Sequence, residues 1–597
     1  MNVAIDKSGL ELYRSMLQIG QSLPNNADGL PEVRIALLAD HAPQQLAKVL
    51  SCAVLEQGLF PLLCVADYGT AAFQAFDPAS ETHTFRPEFV VYSTAMQKYR
   101  DRFFAAERAQ ERDTLPKRYL DEVLGVADSF LDRGIGTIVN NFPLPLERMF
   151  GNFGLLTSQS LYGSVFRFNQ LLVEAIAKRA NCLLSDFMYL ANGAGVQNFF
   201  DERLWQTSKY PCANRFLPDL ARSAARLIAT RRGKVSKVLV LDLDNTLWGG
   251  VIGDDGLEGI NLGGDAYGEA FRQFQKYILS LRDRGYILAV CSKNNESVAL
   301  DAFRNHPEMV IKETDISVFV ANWNDKASNI EFIARVLNLG LDSIIFIDDS
   351  AFERSLVRSA LPQVCVPELP EDVTDYCAAL EQSGLLEGTG FTKEDATRSA
   401  KYREEAQRTT EQLKFGNIDE YLASLEMRID CSPFRSEDMP RIAQLIQRSN
   451  QFNFRTQRLS QAACEKALEA GEVTISARLR DKFGDYGLIA AAVCETLDDD
   501  LFIKEFVMSC RVLKRGVEEY LVNYVFDQCR TQGLKGVRGQ YLRSAKNAMV
   551  ADFYARFEFE NTFRDNDRSD WYLSVENYKV RSTQIGEAKI DRSRGIE

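Results

Sequence analysis

Residues 238–250 read VLVLDLDNTLWGG. An apolar run leads directly into Asp242 and Asp244, and the polar Asn245 and Thr246 follow. Such a run, bounded by turn residues, predicts a strand buried on both faces, as in a parallel sheet covered by helices. Side chains at i and i+2 of a strand point the same way. The two carboxylates therefore share one crevice beyond the strand's carboxyl end, where open α/β sheets bind ligands. Like charges that close repel, and burial penalises each of them alone. A hard cation between them removes both costs, and ligation by oxygen alone suits Mg²⁺.

Working outward, the same pattern repeats. Further strands are predicted at YILAVCSK (286–293), VFVANW (318–323) and SIIFIDD (343–349), with helices at 269–285 and 326–340 between them. Their ends supply Ser292 and Lys293 from one strand and Asp348 and Asp349 from another, while Lys326 opens a helix. Acids, a hydroxyl and an ammonium thus converge on one place. Glu353, four residues past Asp349, is placed either to orient Lys326 or to stand as a solvated helix acid. The spacings 244–292 and 292–326 leave no room for a separate cap domain. An open site favours a large substrate or one delivered on an arm. The glycine-rich WGGVIGDDGLEGINLGG (248–264) reads as a flap over the site or as a hairpin loop.

DLDNT, CSK, a lysine and IDD, in that order, resemble the four motifs of the haloacid dehalogenase superfamily. A lone DxDxT is a weak signal; four ordered elements on four strand ends are specific. The resemblance implies that Asp242 is the nucleophile towards phosphorus and Asp244 the general acid/base. It further implies that Ser292, Lys326 and Thr246 hold the phosphoryl oxygens, and that Asp242, Asp244, Asp348 and Asp349 bind Mg²⁺.

The chain has 597 residues, too many for one core, and its 46% apolar, 26% charged composition is that of a globular protein. A net charge of −13 argues against nucleic-acid binding. There is no apolar run of membrane-spanning length, so the expectation is a cytoplasmic protein with no membrane partner. Twelve cysteines without CxxC pairs fit free thiols, and three histidines make a His-rich metal site unexpected.

Ahead of the central region, VRIALLA (33–39), LFPLLCV (59–65), EFVVYST (88–94), GTIVNNF (136–142) and CLLSDF (182–187) predict a second parallel α/β sheet, and RRGKVSK (231–237) reads as a linker. Residues 390–425 read as a charged helical connector. Beyond them, one helix, several strands and the helix 516–533 predict a further α/β unit with an antiparallel sheet.

LDLDNTLWGGVIGDDGLEGINLG, AVCSKNN and IDDSAFER are more closely similar to the FkbH-like family (subfamily IIIC) of that superfamily. The resemblance covers nearly the whole chain. It implies an α/β fold in three domains: an N-terminal flavodoxin/SGNH-like parallel sheet over 1–230, a central haloacid-dehalogenase-type Rossmannoid over 236–385, and, after a helical connector (386–425), a C-terminal GNAT-like mixed sheet over 426–580. It implies transfer of a glyceryl unit from 1,3-bisphosphoglycerate, a small phosphorylated three-carbon acid, to the phosphopantetheine thiol of an acyl carrier protein in polyketide-type biosynthesis. A plain phosphatase is the alternative. The transfer needs a thiol. Cys510, beside Arg511, Lys514 and Arg515, is the favoured candidate, whereas alternation turns Cys291 into the sheet. In RVLKRG (511–516), Lys514 stands where a pyrophosphate-binding turn carries its first glycine, which counts against acetyl-CoA. The domain is left to grip a phosphopantetheine or to serve as scaffold. The N-terminal region offers LLADHA (37–42) and DERLW (201–205), lacking the serine and histidine an SGNH hydrolase needs, so no esterase activity is expected. Asp201 and Trp205 are placed for packing or for docking a partner.

Overall fold

The computed structural model describes residues 8–23, 29–388, 390, 398–412, 417–449, 452–455, 459–509, 512–544 and 547–587. The chain forms two compact units, Met1–Ser399 and Ala400–Glu597. The first holds two parallel sheets and the second a mixed one.

In the first sheet, β1 (Glu32–Ala39), β2 (Phe60–Val65), β3 (Phe89–Ser93), β4 (Gly136–Asn140) and β5 (Cys182–Ser185) lie in the order β2-β1-β3-β4-β5, all parallel. Alternation explains why these strands are apolar throughout. Val33, Ile35 and Leu37 enter one core, and Ala36 and Leu38 enter another on the opposite face. Trp205 is 1% exposed and Asp201 caps the helix Glu202–Ser208 through the Leu204 amide (3.0 Å). Both serve packing. The helix Leu217–Arg231 runs into the stretch read as a linker, where Lys234 donates to the Gln57 carbonyl (2.6 Å).

The second sheet has β6 (Val238–Leu241), β7 (Ile287–Ser292), β8 (Ile316–Ala321) and β9 (Ile344–Ile347) in the order β8-β7-β6-β9. Leu241 pairs with Val290 on one side and Ile347 on the other, so β6 and β9 end level while β7 runs two residues further to Ser292. Only the helices Ile252–Gly259 and Ala266–Asp283 separate β6 from β7, and only the helix Glu296–Asn305 and the short 3-10 turn Glu313–Asp315 separate β7 from β8. No cap domain is inserted. The flap is a short helix kinked at Gly256 (φ 69°), closed at its base by a Gly249–Asn261 bridge.

The second unit carries β10 (Arg428–Ser432), β11 (Val473–Arg480), β12 (Asp485–Leu497), β13 (Asp500–Met508), β14 (Gly536–Leu542), β15 (Glu560–Arg564), β16 (Arg568–Ser574) and β17 (Gly586–Glu587) in one sheet ordered β15-β16-β14-β13-β12-β11-β10-β17. It is mixed rather than antiparallel. The parallel strands β13 and β14 pair only from Asp500–Gly536 to Phe502–Arg538. Beyond that point the chain's own residues 452–454 lie between them. Asn453 bridges Val507, Met508 N donates to Phe452 O (3.4 Å) and Leu542 N donates to Phe454 O (2.8 Å). Rings of Phe452 and Phe454 pack on Phe506 and Phe553, which anchors the inserted segment. Among the described residues no helix is long and apolar enough to cross a membrane.

Candidate active site

β6 ends at Leu241, so Asp242 is the first residue beyond the sheet, flanked by the ends of β7 and β9. Lys326 reaches it from the first turn of the helix Lys326–Leu337, whose N-cap Asp325 accepts from the Ser328 amide at 2.8 Å. The Lys326 ammonium is 3% exposed and lies 2.9 Å from Asp242 Oδ2 and 2.5 Å from Asp348 Oδ2. Burial alone would lower its pKa; the charges of Asp242 and Asp348 outweigh that and raise it.

Asp242, Asp348 and Asp349 each offer a carboxylate oxygen within 4.8 Å of the others. Burial, then the charge of Asp242, raises the pKa of both Asp348 and Asp349. One ammonium faces three acids. Asp242 Oδ1 is buried and has no hydrogen-bond partner. An orphaned anionic oxygen is costly, and a set of hard oxygen donors with excess negative charge fits a divalent cation of the Mg²⁺ type.

Neighbouring groups hold the cluster. The Ser350 amide donates to Asp348 Oδ1 (2.8 Å). Arg354 donates to the carbonyls of Asp348 (2.8 Å) and Asp349 (2.7 Å), and its other nitrogens are tied to Glu368. Thr246, expected on the phosphate, is instead engaged with Asp349. Its hydroxyl lies 3.3 Å from Asp349 Oδ1 and accepts from the Asp349 amide at 3.2 Å.

Asp244 departs from its expected place among the metal ligands. The chain leaves the strand before it, so the i, i+2 argument does not apply, and Asn245 takes a left-handed turn at φ 55°. Its Oδ1 accepts from Trp248 Nε1 (2.9 Å) and the Ile252 amide (3.0 Å), and its Oδ2 accepts from Asn294 Nδ2 (3.0 Å). Burial raises its pKa and the nearby Asp242 adds to this, against those donors. A carboxyl biased towards its protonated form beside Asp242 suits a proton donor.

Ser292 ends β7 and is buried, and the Asn322 amide donates to its carbonyl at 3.1 Å. Glu353 does not orient Lys326; it pairs with Lys293 at 2.7 Å, because the Lys326 ammonium is already enclosed by two aspartates. Cys291 is fully buried, and burial pushes its thiol pKa up. Cys510 lies outside the described residues. Sequence reasoning missed Asn294, Trp248, Ser350 and Arg354. All four stand inside the quoted motif strings, yet nothing in their spacing marks them as partners of the acids.

In the second unit, Lys514 adopts φ 59°, the conformation a glycine would take there. The amide it offers is used internally, donating to Glu518 Oε1 at 3.0 Å. A buried carboxylate thus occupies the anion position at the start of the helix Val517–Thr531. In the first unit, His41 and Ser93 meet at 2.8 Å, but both are enclosed, and burial lowers the His41 pKa to about 4. The pair is structural.

No curated protein matches the chain. A family profile described as the FkbH N-terminal domain matches residues 34–229. The crystal structure of the N-terminal part of BF1531 from Bacteroides fragilis, containing a phosphatase domain complexed with Mg, is 34% identical, with a TM-score of 0.60, over 64% of this chain and 99% of that one. Acetyltransferases resemble the remaining part more distantly. The Escherichia coli ribosomal-protein-S18-alanine N-acetyltransferase is 14% identical over 25% of this chain and 94% of its own (TM-score 0.20). The Vibrio cholerae spermidine N-acetyltransferase is 14% identical over 25% and 98% (TM-score 0.20). These two likenesses are too weak to carry an argument. The BF1531 match takes in nearly all of that chain, and the profile covers the first parallel sheet from residue 34 onward. The chain belongs to the FkbH-like family of the haloacid dehalogenase superfamily.

Proposed function

We propose that this enzyme takes the glyceryl unit of 1,3-bisphosphoglycerate, removes its phosphate at the Asp242 site in an Mg²⁺-dependent step, and loads it on the phosphopantetheine thiol of an acyl carrier protein in polyketide-type biosynthesis. The observation that carries the phosphoryl half is the Asp242–Lys326–Asp348 contact set with its orphaned Asp242 oxygen. Asp242, Asp348 and Asp349 would hold the cation, as the BF1531 phosphatase domain holds Mg. The bound cation would shield the phosphoryl charge and make attack by a carboxylate feasible. Asp242 attacks phosphorus, and Lys326 neutralises charge on the equatorial oxygens. Asp244 gives its proton to the departing alkoxide and then takes one from the water that hydrolyses the acyl phosphate on Asp242. In the transfer half, a thiolate attacks the acyl carbon, a C–S bond forms, and the C–O bond to phosphate breaks.

A second reading, a plain phosphatase, has one observation in its favour. The described cysteines with perturbed thiols, from Cys52 to Cys529, all have pKa values raised by burial, so none is poised as a thiolate. Incubation with 1,3-bisphosphoglycerate, Mg²⁺ and a holo carrier protein, followed by intact mass measurement of the carrier, separates the two. A glyceryl mass gain supports transfer. Phosphate release without any gain on any carrier leaves the plain phosphatase, and Asp242→Asn must silence both.

A further inference from the structure

The order β2-β1-β3-β4-β5 reverses its winding between β1 and β3, and loops leaving those two strands diverge at their carboxyl ends. A crevice at such a switch point is where an open α/β sheet takes a ligand. A cavity of about 640 Å³ lies there, within the size range of small-molecule sites. Asp40 and Tyr92, from the ends of β1 and β3, contribute to its lining, as do Tyr68 and Phe76 from the segment after β2, and Lys98 and Arg102 from the helix Met96–Ala105. Small residues (Gly69, Ala71, Ala72) keep it open.

The charges in this cavity are unequally committed. Arg102 is bound to Glu122 at 2.5 Å, and Asp121 to Lys117 at 2.5 Å. Asp40 accepts from the Ala95 amide (2.8 Å) and the Tyr119 hydroxyl (3.0 Å). No salt bridge is recorded for Lys98 among the described residues, although its charge acts on Asp40; its ammonium stands 5.2 Å from the Tyr68 ring centre. Tyr68 and Phe76 are 42% and 60% exposed, so their rings are not consumed by the core. A cation outside any salt bridge, beside aromatic faces, receives a single negative charge on a flat apolar body. Asp101, Asp121 and Glu122 in the lining oppose any ligand of higher negative charge.

We infer that this cavity is a second, non-catalytic binding site, for a small monoanionic ligand with an aromatic or similarly planar body, its anion on Lys98 and its ring against Tyr68 and Phe76. Burial, opposed by the two hydrogen-bond donors and then by Lys98 and Arg102, pushes the Asp40 carboxyl up to about 7. It therefore repels a nearby anion only in part at neutral pH. Neither the phosphoryl chemistry at Asp242 nor the buried His41–Ser93 pair uses this cavity.

The test titrates the full chain with 1-anilinonaphthalene-8-sulfonate, a monoanionic aromatic, following fluorescence and heat. Saturable binding of one molecule per chain is expected. Lys98→Met should weaken it roughly tenfold or more, the effect of one charge-assisted contact, and Ala72→Trp, which fills the cavity, should abolish it. Pyrophosphate should not compete. Retained circular dichroism and phosphate release in both variants exclude misfolding as the cause. Equal binding by wild type and both variants, absence of saturation, or displacement by pyrophosphate would each overturn the inference.

Discussion

The two parallel sheets of the first unit end in similarly polar residues, yet they resolve their charges in opposite ways. At the end of β1 and its neighbours the acids, His41 and Asn141 find protein partners, while the neutral Thr94 hydroxyl is left without one. His41 meets Ser93, Asp40 accepts from Ala95 and Tyr119, and Asn141 donates to Asp186 at 2.7 Å. At the end of β6 the account does not close. Three acids surround one lysine, and Asp242 Oδ1 faces no donor. Buried polar groups that satisfy one another stabilise a fold; a residual charge held in place by its neighbours is a device for binding something else. The same architecture thus carries a site in one sheet and a scaffold around a separate cavity in the other.

Removing the proposed nucleophile breaks that contrast most severely. Asp242→Asn should lower phosphate release by at least about three orders of magnitude, measured by steady-state phosphate detection, since no other group can take its place. Next comes Lys326→Met, which leaves three carboxylates without a countercharge. Urea unfolding should show a loss of about 3–5 kcal/mol without divalent cation, with part of it regained on adding Mg²⁺. No recovery would argue that the acid cluster does not bind the ion.

Much of this was legible in the chain itself. The strands of both parallel sheets were placed to within a few residues because each is a short apolar run closed by turn residues, as in LFPLLCV and SIIFIDD. Asp242, Asp348 and Asp349 were legible as strand-end polar groups, and Lys326 as the first residue of a helix. Asp244 was misplaced because its direction depends on where β6 stops and on the left-handed Asn245, neither of which alternation reveals. The Glu353 partner was missed because pairing over 60 residues, here with Lys293, is a fact of packing. The parallel β13–β14 pair and the inserted residues 452–454 are likewise non-local.

Thr246→Val sharpens the comparison at the level of support. It removes the hydroxyl that ties down Asp349 without touching phosphate chemistry directly. Isothermal titration should show Mg²⁺ affinity reduced about 10- to 100-fold, the usual cost of losing a partner of a ligating carboxylate. In the other sheet, Ser93→Ala leaves buried His41 Nε2 without its partner. Stability should fall by about 1–3 kcal/mol with phosphate release unchanged; a loss of activity would mean that the two sheets do not divide the labour as described.

The smallest effect is expected at Asp40. Its carboxyl titrates at about 7 in the folded chain because burial disfavours the charged form. In the unfolded chain it titrates near its ordinary value of about 4. A group raised in this way binds its proton more tightly when folded, so its stabilising contribution is complete below pH about 4 and is lost as pH rises through about 7. Asp40→Asn cannot ionise and escapes that loss. Because Asp40 is partly exposed and water screens it, the advantage should be modest, about 1 kcal/mol in urea unfolding at pH 8, and nil at pH 4. A wild-type profile parallel to that of Asp40→Asn across this range would show that the Asp40 carboxylate is well solvated, and that the first sheet's crevice is no more enclosed than an ordinary surface.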